Sequence, residues 1–309
     1  MLENSRQIKN IISIPRKIII TTHRSPDGDA IGSSLGMYHF LIQLGHTVNV
    51  ITPNSYAKFL HWVPANEKVI VYEDNKKKAS QITKDADVIF LMDLNNIDRT
   101  SDFAECISSS NVTKILIDHH QDPDENIANY IVSDPSSCST AQLVYELIES
   151  MGMLSYIDKN IAECLYLGIM TDTGSFKYSS TTAKTHYIIS KLIEAGANNT
   201  EIHDKIYDNN SANRMRLLGY CLSNKLLLYP ENKSAIISLT EVELDRFKFE
   251  KGDTEGFVNY ALAIDGIKFV VFIVEKDGIV KLSLRSKGDF KVNTIAKKYF
   301  DGGGHINAS

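Results

Sequence analysis

Residues 17–29 read KIIITTHRSPDGD, and this stretch decides the fold. A β-branched run ends at His23, a loop bearing Pro and Gly follows, and a helical pattern occupies roughly 30–44. A short apolar run bounded by turn residues reads as a buried strand. The theme recurs in HTVNVIT at 46–52, DVIFLMD at 87–93 and VTKILID at 112–118. The last two are nearly continuous in apolar residues, as strands covered on both faces of a parallel sheet are. Strands alternating with helical patterns predict a doubly wound α/β layer structure.

Beyond residue 139 the pattern turns helical and stays largely so to 223, with a polar stretch, NNSANRMR, from 209. The remainder has a different texture: LLLYP, SAIISLT, IKFVVFIVE and IVKLSLRSK read as strands, with helical patterns at 255–264 and 292–300. The expected organisation is an α/β domain over 1–208, a helical linker over 209–224 and a smaller mixed α+β domain over 225–309. The lysines at 76–78 form a short charge run, expected as a solvated turn.

A chain of 309 residues has room for two domains. Its net charge of −5 argues against a protein that coats long DNA or RNA, where a basic surface supplies most of the affinity. A short or mononucleotide substrate needs only a local basic cluster and stays open. Four cysteines without CxxC spacing read as reduced thiols. No apolar run is long enough to span a bilayer, and the expected compartment is the cytoplasm.

The residues that carry chemistry sit where elements end. His23, Asp27 and Asp29 follow the first strand, Asp93 ends DVIFLMD, Asp118 ends VTKILID with His119 and His120 after it, and Asp172 lies in LYLGIMTDTGSF. In open α/β sheets, ligands bind outside the carboxyl ends of the strands. A lone Asp in such a place is more often a cap or turn residue. The set is different, because carboxylates gathered without a counter-ion repel and take up protons. Two divalent cations remove that difficulty. Mixed Asp/His ligation suits Mn²⁺, with Mg²⁺, Co²⁺ and Zn²⁺ as alternatives.

These segments resemble the DHH phosphoesterase superfamily, named for the triplet seen here as Asp118-His119-His120. THRSPDGDAIGS, FLMDLN, IDHH and GIMTDTGSF are similar to its four motifs, and TEGFVNYALAIDGIKF, KLSLRSK and DGGGHINAS to its DHHA1 domain. The resemblance implies one cation held by His23, Asp27 and Asp93, and a second held by Asp29, Asp93, His119 and Asp172. Asp93 would bridge, Asp118 would support the histidines, and His120 would face the substrate phosphate. The implied chemistry is direct hydrolysis of a phosphate ester by water activated between two metals.

In the C-terminal half, Arg285 and Lys287 are placed to grip a phosphate or terminal nucleotide. Gly303 and Gly304 permit close backbone approach to an anion, and His305 can donate to it. Arg99 is a further phosphate candidate. The chain stops five residues after the triple glycine, where the family pattern runs on, so a C-terminally short DHHA1 domain is expected. The compact two-domain form is most similar to the NrnA-like branch, which implies short oligoribonucleotides and pAp as substrates; the oligomeric state is left open, with a homodimer as the one considered. Cyclic- or linear-dinucleotide hydrolysis, and a nucleotide-binding sensor without catalysis, are the alternatives.

Overall fold

Strands β1 (Lys17–Thr22), β2 (Thr47–Thr52), β3 (Ile70–Val71), β4 (Val88–Met92), β5 (Thr113–Asp118) and β6 (Tyr130–Ser133) form one sheet in the computed structural model. The structure describes residues 2–300, 302–304 and 306–309. The strand order is β3-β2-β1-β4-β5-β6, and every neighbouring pair is parallel.

The near-continuous apolar composition of the central strands follows from what covers them. Ile18, Ile20, Phe90, Met92, Ile115 and Ile117 enter a core with the helices Gly28–Gln43, Thr140–Ser150 and Lys159–Asp172. The intervening residues Ile19, Ile89, Leu91 and Leu116 enter a second core with Tyr72, Phe103 and Ile107. Successive strand side chains point to opposite faces, so a sheet covered twice needs apolar residues at every position.

Two glycines let the covering helices close in. A Cβ on Gly32 would lie 2.5 Å from the backbone oxygen of Cys164, and one on Gly168 would lie 2.5 Å from the Cβ of Ala141. Only glycine fits so close an approach.

The strand order reverses between β1 and β4, and the register pairs Thr22 with Met92 and Met92 with Ile117. Residues 23, 93 and 118 therefore emerge side by side at the carboxyl edge, at the switch point where open α/β sheets bind ligands.

One local expectation is corrected. Lys76, Lys77 and Lys78 open the helix Lys76–Lys84 and do not form a turn. Their side chains are exposed, but Ala79 and Thr83, four residues apart, bury one helical face. The short strands β3 and β6 had no distinct signal in the sequence.

The chain divides into two units, Met1–Asp208 and Asn209–Ser309. The second holds a mixed sheet of β7 (Leu226–Tyr229), β8 (Ser234–Leu239), β9 (Phe269–Lys276) and β10 (Ile279–Ser286), ordered β10-β9-β8-β7. The β8–β9 pair is parallel and the outer pairs are antiparallel. The α/β class with a smaller mixed second unit is thus the one observed. The segment expected as a linker contains the helix Ala212–Tyr220, and its Leu217, Leu218 and Cys221 belong to the core of the second unit.

Glu243 knits this core edge together. It accepts from the Tyr220 hydroxyl at 2.6 Å, from Lys225 Nζ at 3.0 Å and from the Thr240 backbone N–H at 2.9 Å. Burial acts to raise its pKa, but these donors outweigh it and bring the pKa down to about 2. Among the described residues, no helix is long and apolar enough to cross a membrane.

Candidate metal centre

The loop after β1 turns into the helix Gly28–Gln43 with Asp27 as its N-cap, and Asp27 Oδ1 accepts from the backbone N–H groups of Asp29 and Ala30, both at 3.0 Å. The helix-capping reading of Asp27 is therefore correct, and it leaves the second oxygen of the carboxylate for another role. Asp29, in the first turn, is buried. Its Oδ2 accepts from Thr140 N–H at 2.7 Å and its Oδ1 from Ala141 N–H at 2.9 Å.

Asp93 directly follows β4 with φ of 57°, in the left-handed region where Asp and Asn are tolerated better than most residues. Its two oxygens face different imidazoles. Oδ2 lies 3.4 Å from His23 Nε2, and Oδ1 lies 3.6 Å from His119 Nε2. His119 Nε2 is also 3.7 Å from Asp29 Oδ2 and 3.4 Å from Asp172 Oδ2. Asp172 arrives from the last residue of the helix Lys159–Asp172, not from a strand.

The tautomers follow from the carbonyls. His23 Nδ1 lies 2.9 Å from Arg24 O, and His119 Nδ1 lies 3.2 Å from Ser137 O. A carbonyl oxygen only accepts, so each Nδ1 carries the proton and each Nε2 turns toward carboxylates. A neutral imidazole would aim a lone pair at negative oxygens there. Either a proton or a cation must stand between them.

The titration behaviour shows the same conflict. Burial would lower His23, but the hydrogen bond with Asp93 and the charges of Asp27 and Asp93 hold it above its ordinary value. Burial, followed by the charges of Asp93, Asp172 and Asp27, pushes Asp29 well above the carboxylate range. Burial also acts to raise Asp93, yet the hydrogen bond from His23 and the charges of His120, His23 and His119 hold it well below. Among the described residues, three groups of side chains offer ligand atoms within 4.8 Å of one another: His23, Asp27 and Asp93; Asp29, His119 and Asp172; and Asp93, His119 and His120. The donor set of mixed imidazole and carboxylate, with lone pairs converging, fits divalent cations.

Asp118 is fully buried and supports His120: its Oδ2 accepts from the His120 backbone N–H at 3.2 Å and its Oδ1 faces His120 Nδ1 at 2.7 Å. His119 is held through its Nδ1 by the Ser137 carbonyl. On its far side, His120 Nε2 accepts from Arg99 Nη1 at 3.0 Å, which brings Arg99 to the edge of the cluster.

The remaining expected residues lie in the second unit. Arg285, half-buried on β10, donates from Nη1 to the Leu284 carbonyl at 3.1 Å, and Lys287 is exposed. Gly303 and Gly304 are exposed, and Gly304 has φ of 130°, which a side chain would not adopt easily. His305 lies outside the described residues.

Thr140, Ala141 and Ser137 are contacts that the sequence reading did not single out. The one local signal is Ser139, whose hydroxyl accepts from Gln142 N–H at 3.0 Å in an S-x-x-Q pattern that marks a helix start. Nothing local says that this helix start meets Asp29.

Residues 17–169 match the DHH family, N-terminal domain, and residues 232–309 match the DHHA1 domain. The chain is 30% identical to the bifunctional oligoribonuclease and PAP phosphatase NrnA of Thermus thermophilus, over 99% of this chain and 87% of that protein. It is 29% identical to the protein of the same name from Bacillus subtilis, over 96% of this chain and 90% of that one. Among solved structures, an exopolyphosphatase-related protein from Bacteroides fragilis superposes with a TM-score of 0.94 at 42% identity, covering 99% of this chain and 89% of the other.

Proposed function

The chain belongs to the DHH family of phosphoesterases and carries a DHHA1 domain, and from that premise we propose that it hydrolyses short oligoribonucleotides to mononucleotides and dephosphorylates pAp to AMP. The observation that carries the hydrolytic reading is Asp93, whose two oxygens face His23 and His119 separately. In this reading His23, Asp27 and Asp93 hold one cation, and Asp29, Asp93, His119 and Asp172 hold the other, with Mn²⁺ as the favoured ion. When bound, such cations supply Lewis acidity that activates water and offsets charge on the phosphate oxygens.

The chain's own groups do the rest. Asp118 fixes the ring of His120, whose Nε2 accepts from Arg99 and so holds the guanidinium at the edge of the cluster, with its remaining N–H groups as donors for a nonbridging phosphate oxygen. Arg285, Lys287, Gly303, Gly304 and His305 are the contacts proposed in the second unit for a phosphate or terminal nucleotide. The substrate class rests on the two NrnA proteins, which the chain matches almost end to end.

The test is hydrolysis of pAp, a diribonucleotide, a cyclic dinucleotide and inorganic polyphosphate, each with Mn²⁺ and with chelator. Mn²⁺-dependent release from the first two is the expected result. Preference for the cyclic compound reassigns the enzyme to dinucleotide turnover, and preference for polyphosphate brings it closer to the Bacteroides protein's name. Silence on all four with metal bound leaves a binding role only.

A further inference from the structure

We propose that Thr140 is a positioning residue for the second cation group, acting through the bridging carboxylate; this rests on the two-cation reading above. The Thr140 hydroxyl donates to Asp93 Oδ1 at 2.9 Å, the oxygen that also faces His119. Its own backbone N–H holds Asp29 Oδ2 at 2.7 Å. One residue thus touches two of the carboxylates that would share a cation. The preceding carbonyl of Ser137 fixes the proton on His119. The short turn at 137–141 therefore governs three side chains of the same group from one side.

The turn is built to stay in place. Ser139 caps the helix Thr140–Ser150, and Gln142 Oε1 accepts from Cys138 Sγ at 3.1 Å and from Thr185 Oγ1 at 2.9 Å. All four residues are buried. Polar networks satisfied in this way rigidify the segment that carries them. By donating to Oδ1, the hydroxyl fixes the rotation of the Asp93 carboxylate. The remaining lone pairs of that carboxylate are left directed at the two imidazoles. Groups that orient metal ligands in this manner change metal affinity by about 10–100-fold when removed.

The experiment is calorimetric titration of Mn²⁺ into the wild type, T140V and T140S, with thermal melts to establish folding. T140V keeps the volume and the backbone N–H but loses the donor; T140S keeps the donor. One of the two Mn²⁺ sites should weaken by about 10–100-fold in T140V, while T140S restores it. Equal isotherms for wild type and T140V overturn the proposal. So does a T140S isotherm that matches T140V, because the hydroxyl is then not the determinant. If T140V does not fold, T140A replaces it under the same criteria. A wild type that binds no Mn²⁺ overturns the cation reading itself, and the positioning role with it. No substrate enters the experiment, so a wrong substrate assignment does not affect the outcome.

Discussion

Two acidic regions of this chain, one half-buried and one buried, are treated in opposite ways. In the second unit, Glu243 is surrounded by donors from the protein, Tyr220, Lys225 and the Thr240 N–H, and its charge is fully answered. In the first unit, Asp29, Asp93 and Asp172 converge on a single nitrogen of His119, and burial, followed by the charges of its acidic neighbours, pushes Asp29 well above the carboxylate range. A carboxylate that the chain satisfies by itself serves the fold. In the proposed reading, carboxylates gathered around imidazoles in this way are completed by cations from solution. The difference separates a structural acid from a site, although both are partly or fully buried.

The sharpest way to break this comparison is Asp93→Ala. Removing the carboxylate proposed to serve both cations should lower kcat on pAp by on the order of 10³-fold or more, with loss of bound Mn²⁺. Near-normal kcat with both cations bound would show that the convergence in the first unit is incidental.

Gly32→Ala asks whether packing forces the acids together. The new methyl meets the Cys164 carbonyl at 2.5 Å, which the backbone can relieve only by moving the helices apart. A destabilisation of about 3 kcal/mol is expected, read as a lower urea midpoint, together with weaker Mn²⁺ binding because Asp29 and Asp172 sit on those two helices. A stable variant with unchanged Mn²⁺ affinity would show that close helix packing is not what holds the acids in range.

Glu243→Gln gives the smallest effect and sharpens the other side. The folded pKa of about 2 lies below the ordinary value of 4.5, so the group's stabilisation is present above pH 4.5 and is lost as pH falls toward 2. Screened by solvent, the contribution is expected to be about 1 kcal/mol. Urea midpoints of wild type should slope with pH across that window, and those of the variant should be flatter. An identical slope in both would remove Glu243 from its role in the fold.

Much of the site was legible before any coordinates. His23, Asp93, Asp118, His119 and His120 each follow or end a short, near-continuous apolar run that reads as a covered strand, and the carboxyl ends of parallel strands share one edge. Strand order could not be read in the same way. The neighbouring of β1 and β4, which puts His23 beside Asp93, depends on which crossover returns to which edge. The lysines at 76–78 misled because their charge masked a helix whose buried face holds only Ala79 and Thr83.

What the sequence determined by itself, then, is the inventory: an α/β layer, the residues at its strand ends, and a second unit of different texture. These are local properties, written in periodicity and in the residue that ends each run. Only the tertiary structure decided how that inventory is held. Thr140 reaches Asp93 across 47 positions and Asp29 across 111, and Ser137 holds His119 from 18 positions away. Such contacts leave no periodic trace. A helix start is marked by its own cap, whereas the acid it meets is chosen by how closely Gly32 and Gly168 allow the helices to pack.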